Sequence, residues 1–112
     1  MKEDTHILVL TTCPSPAEAR ELAQGLITNK LAACVQCSAI ESTFTWQGKV
    51  TQEQEIQVWI KTRKALYSQV EHFIHLVHSY DVPEILVLPV IGGSRTYLEW
   101  IDAVTTDTTR ND

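Results

Sequence analysis

Between His6 and Cys13 the chain reads HILVLTTC, a β-branched-rich apolar run of strand length with too little polar alternation for one face to meet water. It predicts a strand covered on both faces. Ser15-Pro16-Ala17-Glu18 follows, combining an N-cap serine, a proline at the first helical position and a glutamate three residues after the cap. A helix is predicted from there, with Ala19, Leu22, Ala23, Leu26 and Ile27 at helical spacing and Asn29 as its stop. From Leu31 to Trp46 the pattern alternates, but its apolar parity moves from Ala33, Val35 and Cys37 to Ile40, Phe44 and Trp46. Such a change predicts one long strand bent by a bulge.

Trp46-Gln47-Gly48-Lys49 is a glycine-containing turn, after which Ile56, Val58 and Ile60 alternate with Glu55, Gln57, Trp59 and Lys61, so an extended hairpin is expected. Leu66, Val70, Phe73, Ile74 and Val77 line one face of a second helix that ends before Ser79-Tyr80-Asp81-Val82-Pro83. Glu84 to Ile91 returns as a fourth strand. Gly92-Gly93-Ser94 opens a last helix carrying Tyr97, Leu98 and Ile101, and the polar tail over about 105–112 is expected to fray. The order β-α-β-β-α-β is that of a ferredoxin-like split βαβ sandwich of the α+β class, here with a long hairpin and an extra C-terminal helix. Residues 1–112 form a single domain on this reading, since no linker or repeat divides them.

That fold leaves ILVLPVI apolar on both sides at a sheet edge and gives the hairpin arms about twice the usual strand length. One copy exposes both features, so self-association is expected. The formal charge of −5 and the lack of a basic cluster beyond Lys61, Arg63 and Lys64 argue against nucleic acid as a partner. The opening MKEDTHILVL fits neither a signal peptide nor a membrane span, which predicts a cytoplasmic protein without membrane insertion. Cys13, Cys34 and Cys37 are an odd number in such a chain and are read as free thiols.

NKLAACVQ, FTWQGKV with Glu55 and Lys61-Thr62 after it, HSYDVPEILVLP, and Tyr97-Leu98-Glu99-Trp100 together resemble the CutA divalent-cation-tolerance family, in one register from about Ile7 to Ile101. The resemblance implies a homotrimer whose sheets pack about a three-fold axis, with each hairpin extending a neighbour's sheet. It also implies a part in tolerance of, and response to, copper and other divalent cations. In a bacterial relative a first-strand cysteine and two adjacent histidines are proposed as copper ligands. Here Thr11 stands for that cysteine and Val77 for the first histidine, and His78 alone is retained. Cys13, two residues from Thr11 on the same strand face, is the candidate replacement. A copper site at His78 and Cys13 is therefore expected.

Other candidates are weaker. Cys34-Val35-Gln36-Cys37 has C-x-x-C spacing, but in a strand residues three apart point to opposite faces, and packing is the better reading. His72 and His75 recur with His78 at intervals of three, a row read mainly as a solvated helix face. Glu55, Trp59 and Lys61 share one side of the third strand, with Trp46, Tyr80 and Glu84 at motif positions near strand ends. Across a trimer these six can form a cleft for a small polar ligand, as in the nitrogen-regulatory PII proteins, which share the fold; an effector-binding signalling trimer is thus the alternative function. Gly92-Gly93-Ser94 lacks the lysine of a phosphate loop, and no nucleophile-base-acid set or zinc-protease helix is present, so no enzyme and no organic cofactor are expected.

Overall fold

The computed structural model describes residues 5–106. Strands β1 (His6–Cys13), β2 (Cys34–Trp46), β3 (Lys49–Arg63) and β4 (Ile85–Pro89) alternate with helices α1 (Pro16–Thr28), α2 (Tyr67–Val77) and α3 (Arg95–Val104) in the expected order. The strands form one antiparallel sheet in the order β2-β3-β1-β4. Ser15 Oγ accepts the Glu18 N–H at 3.2 Å with Pro16 at the first position, as the sequence predicted. At the other end of α1, Lys30 takes φ 57°. Its N–H reaches the Ile27 carbonyl at 3.0 Å and that of Leu31 the Leu26 carbonyl at 2.9 Å, a Schellman closure made without glycine.

Strand β1 puts Ile7, Val9, Thr11 and Cys13 into the core, in register with Thr62, Ile60, Val58 and Ile56 of β3. Helices α1 and α2 close this side through Ala19, Leu22, Leu26, Val70 and Ile74. His6, Leu8 and Leu10 on the reverse side are only half-buried, so cover on both faces of β1 is not achieved within one chain. Helix α3 lies over one end of that reverse side. There His6 Nε2 meets Asp102 Oδ1 at 2.9 Å, and Arg63 donates to the Thr105 hydroxyl and carbonyl at 2.8 and 3.0 Å. Thr105 is consequently buried; the rest of the expected tail, 107–112, lies outside the described residues.

Two other expectations need correction. Helix α2 starts at Tyr67, Leu66 belonging to a preceding 3₁₀ turn, and β4 is shorter at both ends than predicted. No bulge bends β2: its register runs unbroken from Cys34↔Lys61 to Trp46↔Lys49. Gln47 and Gly48, at φ 51° and 79°, close the hairpin with the twist of a type I′ turn. Over 49–55, before Ile56, β3 has no partner but β2, and this ribbon contributes to overall dimensions of 51 × 30 × 20 Å. The apolar parity changed because most ribbon residues are exposed and no core side dictates their pattern.

Candidate functional site

Three element ends meet at one corner of the sandwich: the last residue of β1, the first turn of α1 and the C-cap of α2. They bring Cys13, Glu18 and His78 together, with Sγ, a carboxylate oxygen and an imidazole nitrogen all within 4.8 Å of one another. Cys13 is fully buried. Burial first, and then the nearby Glu18, Cys37 and Glu55, push its thiol up to about 12, so it carries its proton at neutral pH.

The hydrogen bonds of His78 fix its tautomer. Nε2 faces the Thr12 carbonyl, which only accepts, so Nε2 carries the hydrogen. Nδ1 accepts the Tyr80 N–H at 3.0 Å. A ring nitrogen pinned to a backbone carbonyl while the other lies beside a carboxylate is an arrangement also found in metal-binding histidines. Glu18 Oε2 lies 3.4 Å from Nδ1 and accepts the Ser79 N–H at 3.1 Å. In the sequence Glu18 belongs only to the helix start; its carboxylate instead crosses to the α2 terminus, and a glutamate within a capping motif gives no signal of that second use.

The six residues expected to line a cleft do not converge within one chain. Tyr80 Oη donates to Glu55 Oε2 at 3.2 Å, and burial followed by Glu55 raises the phenol above its ordinary value. Lys61 turns the other way, donating to Tyr97 Oη at 3.3 Å. Trp59 bonds Gln57 at 3.0 Å, Trp46 is exposed at the hairpin tip, and Glu84 is exposed before β4. Of the histidine row, His72 is exposed and His75 lies 3.9 Å from Glu71 on the helix surface. Cys34 and Cys37 point to opposite faces, as expected, but Cys37 is exposed, so burial within the chain does not explain it.

Residues 7–104 match the model of the CutA1 divalent ion tolerance protein family. The chain is 42% identical over 96 residues to the chloroplastic CutA of Arabidopsis thaliana, covering 85% of this chain and 53% of that protein. It is 38% identical over 95 residues to the divalent-cation tolerance protein CutA of Thermus thermophilus, covering 84% of this chain and 92% of that one. The solved structure of the periplasmic divalent cation tolerance protein CutA from Archaeoglobus fulgidus superposes with a TM-score of 0.89 at 36% identity, covering 90% of this chain and 99% of that chain. The chain spans about half the length of the plant and mammalian relatives it matches.

Proposed function

The chain belongs to the CutA1 divalent ion tolerance family, and from that premise we propose that it is a non-catalytic, homotrimeric module that binds a divalent cation, copper foremost, at Cys13, Glu18 and His78. The observation that carries this reading is the convergence of those three donors about a histidine whose second nitrogen is already pinned. Bonds of about 2.0–2.3 Å require donors roughly 3.3–3.8 Å apart about a tetrahedral ion and roughly 2.8–3.3 Å apart at adjacent corners of the tetragonal geometry copper(II) prefers, so the set fits after a closure of about 1–2 Å. Thiolate and imidazole suit copper and zinc, and affinity along the divalent series peaks at copper. When bound, the ion fixes a charge at a corner joining three elements; the chain's part is to supply Sγ, Nδ1 and a carboxylate oxygen.

The trimer, with a ferredoxin-like sandwich in each copy, is supported by the apolar surface that one chain leaves open. Leu86 and Leu88 are exposed at the edge strand, beside half-buried Leu8 and Leu10 on the same side of the sheet, while Phe44, Trp46 and Val50 are exposed on the ribbon. Free thiols suit a reducing compartment, which supports placement in the cytoplasm. No observation favours the effector-binding alternative, whose cleft residues would have to meet across subunits.

Calorimetric titration of metal-free protein with copper tests the site. One ion per chain in the wild type and weak binding in Cys13→Ser, Glu18→Gln and His78→Ala are expected. Equal affinity in Cys13→Ser and His78→Ala contradicts the assignment.

A further inference from the structure

The two side chains that join Cys13 at this corner already hold something. His78 Nδ1 takes the Tyr80 N–H at 3.0 Å, and Glu18 Oε2 takes the Ser79 N–H at 3.1 Å. These are consecutive backbone amides of the segment joining α2 to β4. An imidazole nitrogen offers one lone pair, so it cannot serve an amide and an ion together. The carboxylate has more acceptor capacity, but the oxygen turned toward His78 is the one engaged by Ser79. The same corner is fastened at a second point, where Tyr80 Oη donates to Glu55 on β3 and the Tyr80 ring lies 4.9 Å from that of His78.

Building on the proposed site, we infer that cation capture and the closed Ser79–Tyr80 corner exclude one another. The ion competes with the Tyr80 amide for Nδ1 and draws the Glu18 carboxylate away from Ser79. Occupancy thus releases the corner, and through Tyr80 it loosens a tie to Glu55, a buried carboxylate where the ribbon leaves the sheet. Coupling is reciprocal: whatever holds the corner closed weakens the ion by the factor with which the ion opens the corner.

The test uses the full chain and copper, with hydrogen exchange of peptides spanning 78–83 followed by mass spectrometry beside calorimetry. Saturating copper is expected to speed exchange at the Ser79 and Tyr80 amides by about tenfold or more, because two hydrogen-bonded amides become free. Tyr80→Phe keeps every proposed ligand but removes the tie to Glu55, and is expected to bind copper about fivefold more tightly, the worth of one ordinary hydrogen bond. Copper binding that depends on Cys13 and leaves both exchange and the Tyr80→Phe affinity unchanged overturns the coupling while the site stands. Failure of the wild type to retain copper, or retention unchanged in Cys13→Ser, overturns the site and the coupling together.

Discussion

Cys13 and Thr11 occupy successive core-facing positions of β1, and neither is in its most favourable state alone. Burial pushes the Cys13 thiol up from its ordinary 9.0 to about 12, so an ion that binds sulfur must displace its proton. Between pH 6 and 8 copper affinity is therefore expected to rise about tenfold per pH unit, a slope that calorimetry should find missing in Cys13→Ser. The metal-free fold is expected to respond with the opposite sign: the unfolded thiol ionises near 9.0 and the folded one near 12, so stability falls as pH climbs through that interval. Thr11 Oγ1 is buried without a hydrogen-bond partner. Its desolvation costs about 1–3 kcal/mol, so Thr11→Val is expected to leave stability equal or higher by up to that amount in urea unfolding, and a loss above about 1 kcal/mol contradicts the orphaned hydroxyl. The family resemblance pointed to His78, and Cys13 entered only as a replacement for Thr11 on the same strand face; the structure places the two side by side. Glu18 was not legible in the sequence, because a residue three positions after a serine is fully explained by the helix start.

The helices and strands were legible where periodicity and punctuation agreed: Ser15-Pro16 opens α1, Gly48 turns the hairpin, and Ser94 Oγ accepts the Tyr97 N–H at 3.3 Å to open α3. The ribbon was misread because residues with solvent on both sides carry no alternation for register to follow. Packing between helices also escapes periodicity. Gly25 looks like a mid-helix weakness that alanine should relieve by up to about 1 kcal/mol, yet a Cβ there would overlap the Phe73 ring of α2. Gly25→Ala is accordingly expected to cost about 1–3 kcal/mol in thermal or denaturant unfolding. A gain in stability would show that Phe73 is not wedged against α1.

At the scale of the molecule, the helices cover one side of the sheet, and α3 reaches only the end of the other, where His6 and Arg63 anchor it. The remaining apolar side and the projecting ribbon are what the sequence signalled as unfinished in one copy, and they support assembly by burial of Leu86, Leu88 and their neighbours. Separated cleft residues follow from the same geometry: Glu55 and Lys61 leave β3 toward different partners, Tyr80 and Tyr97, which alternation along a strand does not reveal. Native mass spectrometry of copper-loaded protein tests assembly and ion binding at once. Three chains of 12.6 kDa carrying one copper each, with the ions lost in Cys13→Ser, is the expected spectrum. Single chains without copper, or a Cys13→Ser protein holding as many ions as the wild type, would contradict it.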